Sequence, residues 1–192
     1  MAKSLEYEQR VMLSITQYKK LKKEFDSLKP FTLINEYFDT SNLDIIKSRR
    51  MLRIRNLNHK GYELTLKIKG SNGDVEINEN ISNYKRCRIK NDSIFPKGEI
   101  TKILENEYNL KDIVFITKLK TIRIEKQIGD YLLVLDKNFY NGIVDYDLEV
   151  ESVSKERATE VIKKYCTTYN IVFNENYRGK SRRAIMSIRS DL

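Results

Sequence analysis

Apolar and polar residues alternate with a period of two in several stretches of the chain. In the clearest stretch, residues 62–69, apolar side chains occupy one face and the other face carries Glu63, Thr65, Lys67 and Lys69. A period of two is the repeat of a β-strand that buries one of its faces. The same alternation predicts strands at residues 5–11, 51–55 and 146–151, and further strands are predicted near residues 33–38, 74–80, 113–125 and 131–138.

Helices are predicted between these strands and after them. Residues 14–17, Ser-Ile-Thr-Gln, have the form of a capping box and predict a helix that ends near Pro30. Apolar residues at helical spacing predict two further helices, around residues 100–104 and over residues 154–169. About eight strands, mostly antiparallel, with amphipathic helices that need a surface to cover, describe an α+β domain or a closed barrel. The apolar strand faces would lie under the helices, which leaves the ionic faces for a groove or an interior.

Composition limits the class of protein. A chain of 192 residues is expected to form one domain, since about 150 residues is a usual domain size. Residues 1–10 carry acids where a signal peptide would have its apolar run, and no apolar stretch of 18 residues occurs, so we expect a soluble, cytoplasmic protein without a membrane segment. Two cysteines far apart in the chain are expected to be reduced packing residues.

Scarce residue types also restrict the chemistry. One histidine and two cysteines do not supply a zinc site of the usual kind. A metal ion would therefore be a hard cation held by carboxylates. The formal net charge of +9 indicates an anionic partner, which nucleic acid, a membrane surface or a small polyphosphate would all satisfy.

Like charges are grouped along single strand faces. Glu6 with Glu8, Arg53 with Arg55, Lys67 with Lys69, and Glu149 with Glu151 each stand two residues apart, which places the members of a pair about 7 Å apart on one side of a strand. Converging like charges repel one another, so a ligand is needed to offset them. Paired carboxylates suit a divalent cation, and paired Arg and Lys suit phosphate oxygens. A face with both kinds of pair is suited to a metal-bound polyphosphate.

These charged pairs also resemble the motifs of one family. Glu6-Tyr7-Glu8-Gln9-Arg10 is similar to the ExExK signature of the CYTH domain, also called the triphosphate tunnel metalloenzyme fold. Arg53-Ile54-Arg55 resembles the RxR strand of that family, and Lys67-Ile68-Lys69 resembles its basic strand. Glu149-Val150-Glu151 resembles its late acidic strand, and Lys180-Ser181-Arg182 its C-terminal basic element. The five elements occur in the family's order along most of the chain.

The resemblance implies a single CYTH-like domain over residues 1–192, built as an eight-stranded antiparallel β-barrel that encloses a tunnel and has helices packed outside. It implies that the metal ligands are Glu6, Glu8, Glu149 and Glu151. It implies that the substrate is bound by Arg10, Arg53, Arg55, Lys67, Lys69, Arg123, Lys180 and Arg182. The groups that act in catalysis would be Glu6, Glu8, Glu76, Arg53 and Arg55, with Glu76 orienting water or metal.

The chain departs from the family pattern at two positions. Arg10 replaces the Lys of the signature, which keeps the charge but exchanges a point donor for a planar fork. Asn78 stands where some members have a second acid. We expect the first change to alter phosphate geometry and the second to weaken a second metal site or to shift the attacking water.

The leading functional hypothesis is hydrolysis of inorganic triphosphate or an organic triphosphate with Mg²⁺ or Mn²⁺ as cofactor and water as the nucleophile. The resemblance leaves a class IV adenylyl cyclase reaction on ATP as an alternative, and a non-catalytic polyphosphate or nucleotide sensor as another. An RNA-binding protein is disfavoured because Tyr62 faces away from Lys67 and Lys69, whereas sheet-based RNA readers carry aromatic and basic residues on one face. The lysines within residues 19–23 are interpreted as a solvated helical face.

Overall fold

The computed structural model describes residues 2–57, 61–70, 73–174 and 178–188, with side chains from Tyr7 onward. In chain order its strands and α-helices are β1 (Ala2–Leu13), α1 (Ile15–Lys22), β2 (Phe31–Thr40), α2 (Asp44–Lys47), β3 (Arg50–Asn56), β4 (Tyr62–Ile68), β5 (Asp74–Ile81), α3 (Asn83–Asp92), α4 (Glu99–Glu105), β6 (Ile113–Ile128), β7 (Tyr131–Tyr140), β8 (Ile143–Ser152), α5 (Lys155–Tyr169) and α6 (Lys180–Met186). Strands therefore form at all eight predicted places.

The sheet topology follows the hydrogen-bonded order β1-β5-β4-β3-β2-β6-β7-β8, which is that of a closed barrel. The prediction of an α+β protein with an eight-stranded antiparallel barrel is confirmed. The chain divides into two compact units: a first unit of Met1–Leu5, Ile34–Leu119 and Ala184–Leu192, and a second unit of Glu6–Leu33 and Lys120–Arg183. The single domain over residues 1–192 stays a prediction.

The first unit contains the ladder β2-β3-β4-β5, whose two faces differ as the alternation predicts. Leu52, Leu66 and Ile77 stand at paired positions and are buried in one apolar cluster. The opposite face carries Arg53 at the position paired with Thr65, and Thr65 in turn pairs with Asn78. Side chains from α2, α3 and α4 complete the apolar cluster, through Ile45, Ile89, Ile100 and Leu104. The helices of this unit therefore cover the apolar face of its strands.

Helix α3 was not predicted, because its sequence has almost no apolar stripe. Ile89 is its one buried residue. Its remaining signal is an N-cap, Ser82, whose hydroxyl accepts a hydrogen bond from the backbone N–H of Lys85. Two cations of this helix, Arg86 and Lys90, bind the carboxylate of Glu36 on β2. Tertiary ion pairs thus hold a helix whose hydrophobic pattern is too weak to predict it.

The second unit contains the ladder β1-β8-β7-β6. Its apolar cluster joins strand residues such as Val11, Leu135 and Leu148 to Ala158 and Ile162 of α5. The capping box of α1 forms as predicted, with Ser14 and Gln17 bonded reciprocally. This helix ends at Lys22, and a 3-10 turn over Lys23–Phe25 follows it, so the regular helix stops well before Pro30.

Both cysteines are free thiols, Cys166 buried and Cys87 half-buried. Within the residues that the structure describes, no helix has both the length and the apolar character that crossing a membrane requires.

Candidate functional site

Three carboxylates meet on adjacent strands of the second unit. The register pairs Glu8 of β1 with Glu151 of β8, and pairs Arg10 with Glu149 two positions further along β1. Glu8, Glu149 and Glu151 each offer one carboxylate oxygen, and these oxygens all lie within 4.8 Å of one another. Glu149 is the deepest of the three, with its side chain 2% exposed. The strand alternation brings together three of the four predicted metal ligands, and the side chain of the fourth, Glu6, lies outside the described residues.

These three residues fit a hard divalent cation. Carboxylate oxygens are the ligands that Mg²⁺ and Mn²⁺ prefer. Three carboxylates at close range repel one another, and a positive charge between them offsets this repulsion. Glu149 Oε1 is buried and accepts no hydrogen bond from the described residues, although the Arg10 guanidinium lies 3.4 Å from it. A buried acceptor with spare capacity is what a metal ion would use.

Basic side chains surround Glu149. Arg123 Nη2 and Lys180 Nζ both donate to Glu149 Oε2 at 2.9 Å, and Arg10 also forms an ion pair with Glu8. Burial alone would raise the pKa of Glu149, but the positive charges of Lys180, Arg10 and Arg123 hold this pKa well below its usual range. Glu149 is therefore ionised, which a metal ligand requires.

Asp136 on β7 is a further acid of this face that the sequence analysis did not select. Its side chain is 0% exposed. Arg123 donates to both of its oxygens at 2.8 Å in a bidentate pair, and Lys180 Nζ lies 2.5 Å from Oδ2. Asp136 and Glu149 thus share the same two cations, so Asp136 helps to hold Arg123 and Lys180 in place.

A second polar network lies one step along the β7-β8 ladder, around Arg183 of α6. The Arg183 guanidinium donates to both oxygens of Asp145, at 2.8 and 3.0 Å, and to Asp147 Oδ2 at 2.7 Å. Asp147 is 0% exposed, and burial raises its pKa. Since two acids share one guanidinium, the network carries more negative than positive charge when both are ionised.

Neutral groups of β6 and β7 complete this network. Asn138 donates through its amide nitrogen to Asp145 at 3.0 Å and to Asp147 at 2.7 Å. The hydroxyl of Thr121 donates to the side-chain oxygen of Asn138 at 2.8 Å. Tyr140 forms a hydrogen bond with Asp145, and burial together with this carboxylate raises the pKa of Tyr140 to about 12. Asn138 is thereby fixed with its two donors toward the acids.

Arg10 packs closely on the residue that precedes α6. A Cβ built on Gly179 would lie 2.5 Å from Arg10 Nη1, which is shorter than any normal contact. The absence of a side chain at Gly179 therefore leaves the space that the planar fork of Arg10 occupies. Gly179 therefore makes room for the arginine that stands at position 10 in place of the lysine of the signature.

The first unit has its own charged face, on which predicted residues meet. Arg53 Nη2 lies 3.3 Å from Glu76 Oε2, and Lys67 Nζ lies 3.4 Å from Glu76 Oε1 and 3.5 Å from Asp74. Arg55 donates to the side-chain oxygen of Asn35 at 3.0 Å. The Nε–H of Arg53 is buried and has no hydrogen-bond partner within the part of the chain that the structure describes. A buried guanidinium donor without an acceptor is available to an anionic ligand.

Two predicted phosphate ligands are placed differently. Lys69 is exposed and follows the last residue of β4. Arg182 is exposed on α6, whereas its neighbour Arg183 makes the buried contacts with acids. A short helix forms here, so adjacent residues point in different directions.

The residues that the sequence analysis missed carried a usable signal. On β8 acids occupy four alternate positions, Asp145, Asp147, Glu149 and Glu151, and only the last two were selected. On β7, Asp136 and Asn138 alternate with Leu135 and Lys137 after a continuous apolar run. That run conceals the period of two, because both faces of the strand begin apolar.

The barrel topology and this acidic and basic site define a class of protein. Residues 4–176 match the model of the CYTH domain, and the chain therefore belongs to the CYTH family. Proteins of this family are triphosphatases and cyclases.

Individual relatives agree with this assignment. YjbK of Bacillus subtilis (strain 168), provisionally named a triphosphatase, is 27% identical over 179 residues, which cover 89% of this chain and 90% of that protein. The crystal structure of a Bacillus halodurans protein provisionally named an adenylate cyclase has a TM-score of 0.85 at 28% identity, over 95% of this chain and 98% of that one. The Hippeastrum protein HpAC1, provisionally an adenylyl cyclase and described with a dominant triphosphatase activity, shares the fold at a TM-score of 0.75, with 21% identity over 96% of this chain and 97% of that one.

Proposed function

We propose that this protein hydrolyses inorganic triphosphate, or an organic triphosphate, in a reaction that depends on Mg²⁺ or Mn²⁺. With inorganic triphosphate, water attacks a terminal phosphorus, the bond to the bridging oxygen breaks, and the products are phosphate and pyrophosphate. A cytoplasmic location is proposed for this reaction, in which the two separate cysteines would stay reduced.

One observation carries the proposal. The Glu8, Glu149 and Glu151 carboxylates lie together, and Arg10, Arg123 and Lys180 contact members of this group. A carboxylate cluster alone is common on protein surfaces. A buried carboxylate that shares its surroundings with three cations is suited to a ligand with positive metal and negative phosphate parts.

The metal would be held by Glu8, Glu149 and Glu151, with Glu6 as a further proposed ligand, and when bound it would neutralise charge on phosphate oxygens. Arg10, Arg123 and Lys180 are proposed to bind phosphate oxygens as well. They lie beside acids in the structure, so substrate binding requires them to exchange or share these partners. Asp136 would retain part of the bonding to Arg123, which keeps its fork in place during that exchange.

Residues of the first unit are proposed to bind and orient the phosphate chain. Arg53 is favoured by its buried Nε–H, which no described residue accepts, and Arg55 by its contact with Asn35. Lys67 would supply a further positive charge, and Lys69 and Arg182 would act from exposed positions. Glu76 holds Arg53 and Lys67 and is proposed to orient the attacking water. These groups position the substrate and stabilise charge, which is most of what phosphoryl transfer requires.

The test is a substrate panel with product analysis. Purified protein is incubated with inorganic triphosphate, ATP and thiamine triphosphate, with Mg²⁺ or Mn²⁺ and with EDTA. Phosphate released from a triphosphate with metal, and none with EDTA, is the expected result. Cyclic AMP and pyrophosphate from ATP would instead identify a cyclase, and binding of triphosphate without any product would identify a sensor.

A matched pair of variants separates the site from the general charge of the protein. Glu149→Gln should lower the metal-dependent release of phosphate by about 100-fold or more. Glu156→Gln changes an exposed glutamate of α5 in the same unit and should retain the parent rate. Equal rates for the two variants would contradict the proposed site.

A further inference from the structure

The first turn of α6 carries two cations that bind neighbouring parts of the β7-β8 ladder. Lys180 contacts Asp136 and Glu149, and Arg183, three residues later, contacts Asp145 and Asp147. In the ladder Asp136 pairs with Asp147, and Asn138 pairs with Asp145. Residues three apart in a helix lie on the same side, so the two cations meet acids on successive rungs. Both contacts belong to the second unit.

This short helix depends on tertiary contacts for its position: the bonds of Lys180 and Arg183 to acids in its first turn, and the burial of Ala184 and Ile185 after that turn. It has seven residues, Lys180–Met186, and a helix of that length is not stable in water by its own hydrogen bonds. The residue before it, Gly179, has no side chain to anchor the chain. Lys180 itself is a poor anchor, because its ammonium group is a point charge on a flexible stem.

Arg183 has the features of an anchor. Its planar fork binds Asp145 in a bidentate pair, reaches Asp147 through the same Nη2, and returns through Nη1 to the carbonyl oxygen of Arg178 at 2.7 Å. Its side chain is 11% exposed. The acids that it binds are themselves oriented by Asn138. Arg183 therefore binds Asp145 and Asp147 firmly, about one helical turn after Lys180, and this contact fixes the first turn of α6.

We infer that Arg183 is a positioning residue for Lys180: its clamp on Asp145 and Asp147 holds the first turn of α6 so that the Lys180 ammonium group reaches the predicted phosphate site. Arg183 need not touch the substrate for this role. The inference rests on the proposed function, because it takes Lys180 as a phosphate ligand. None of Arg183, Asp145 and Asp147 belongs to the charged pairs by which the family resemblance was identified.

The first experiment measures triphosphate hydrolysis with Mg²⁺ for Lys180→Ala, Arg183→Gln and the double variant. Arg183→Gln should lower kcat/KM by about 10- to 100-fold, as for groups that orient a ligand-binding side chain. In the Lys180→Ala background the same change should have an effect within about twofold, because the side chain to be positioned is gone. Losses that multiply in the double variant would overturn the inference.

Two more variants separate position from charge and from folding. Arg183→Lys keeps the charge but loses the bidentate fork, so it should retain the kcat/KM defect, and a fully active Arg183→Lys would overturn the inference. Asp145→Asn weakens the contact with Arg183 without leaving an unpaired acid, and it should also lower kcat/KM. It replaces Arg183→Gln in the test if that variant does not fold. Arg157→Gln is the matched control, since Arg157 of α5 makes an exposed bidentate pair with Asp130. The kcat/KM of this variant should match that of the parent.

The second experiment does not use substrate. Hydrogen exchange of the backbone amides in residues 180–186 is compared between the unliganded parent, Arg183→Gln and Arg157→Gln. The inference expects faster exchange in Arg183→Gln alone, and equal exchange in all three would overturn it. If the parent binds and hydrolyses no triphosphate while exchange rises as expected, the proposed function fails and the anchoring of α6 stands.

Discussion

The charged faces of the two units use the same residue types but hold them differently. In the first unit the cations Arg53 and Lys67 reach Glu76 at 3.3 and 3.4 Å, and the buried Nε–H of Arg53 has no partner among the residues that are described. In the second unit Arg123 and Lys180 bind Asp136 and Glu149 at 2.5 to 2.9 Å. The first face thus has a free donor for an anion, whereas the cations of the second face already bind acids and must exchange partners.

The two faces also share one neutral feature. Thr65 donates to the side-chain oxygen of Asn78 at 2.7 Å in the first unit, and Thr121 donates to that of Asn138 at 2.8 Å in the second. Asn138 then donates to two acids that Arg183 binds. The comparison shows that the pair of Thr121 and Asn138 continues into a charged network, through the two bonds from Asn138 to acids of β8.

The largest expected effect is the loss of stability when a charge is placed in an apolar cluster, and it should be equally severe in the two units. Leu66→Asp in the first unit and Leu148→Asp in the second replace fully buried core residues with a charge that has no partner. This costs several kcal/mol, a large share of the roughly 5 to 15 kcal/mol that stabilises a domain. Thermal melting should show unfolded or aggregated protein in both cases.

The ionic neighbour of Leu66 supplies the contrast. Lys67→Glu should lower the melting temperature of the unliganded protein less than Leu66→Asp does, because the new carboxylate faces Glu76 and Asp74 and not the apolar core. Activity should be lost, because the new charge opposes phosphate. A stable Leu66→Asp protein would mean that the strand faces are assigned the wrong way round.

Next in size is the loss of phosphate binding in the first unit. Arg53→Ala or Arg55→Ala should lower triphosphate turnover by about 10³- to 10⁵-fold, the range known for an arginine that stabilises phosphoryl transfer. Calorimetric titration with Mg²⁺ alone should give the parent affinity, since no metal ligand is changed. Arg88→Ala is the control, since it removes an arginine of α3 whose side chain is 41% exposed and pairs with Asp92. Equal turnover in Arg53→Ala and Arg88→Ala would remove Arg53 from phosphate binding.

A change to a proposed metal ligand of the second unit should, in contrast, alter the affinity for Mg²⁺ itself. Glu149→Gln should weaken Mg²⁺ binding and lower turnover by about 100-fold or more, since even residues that only orient ligands are worth about 10- to 100-fold. Calorimetry with Mg²⁺ alone measures the first effect and phosphate release the second. Parent-like Mg²⁺ affinity in Glu149→Gln would show that the metal is held elsewhere.

The smallest effect concerns an ion cluster of the first unit that lies on the side of β2 opposite to Asn35. Burial alone would raise the pKa of Glu36, but its hydrogen bonds with Arg86 and Lys90 lower this pKa below the usual 4.5. The stabilisation is therefore present above pH 4.5 and is lost as the pH falls through the lowered pKa. Glu36→Gln should reduce the free energy of unfolding by about 2 kcal/mol at neutral pH.

Denaturant unfolding from neutral to acidic pH measures this prediction. The difference between the parent and Glu36→Gln should shrink below pH 4.5, whereas Glu156→Gln should follow the parent throughout. A difference that is independent of pH would show that the carboxylate of Glu36 is not the source. The ion pairs of Arg86 and Lys90 with Glu36 would then not be what stabilises α3.

Strands were predictable because their pattern has a simple physical origin. Leu64 and Leu66 alternate with Thr65 and Lys67, and a one-residue shift would expose the core face. By contrast, α3 depends on ion pairs of Arg86 and Lys90 with Glu36, a residue far away in sequence. No local pattern contains that information.

The candidate site was predictable to the extent that like charges stand two residues apart. Glu8, Glu149 and Glu151 were identified in this way, and the structure brings them together. Asp136 stands alone in its strand, so only the three-dimensional contact with Arg123 and Lys180 reveals it. Arg183 was passed over for Arg182, because a short helix and not a strand carries them.

The close packing of Arg10 on Gly179 has a consequence for how these two positions vary. A fork at position 10 fills the space that a side chain at position 179 would need, so the two positions should co-vary among relatives. Chains with lysine at the first position should accept a larger residue at the second. The same compensation should be visible in this protein, where Gly179→Ala lowers triphosphate turnover by displacing Arg10 and the additional change Arg10→Lys restores part of it.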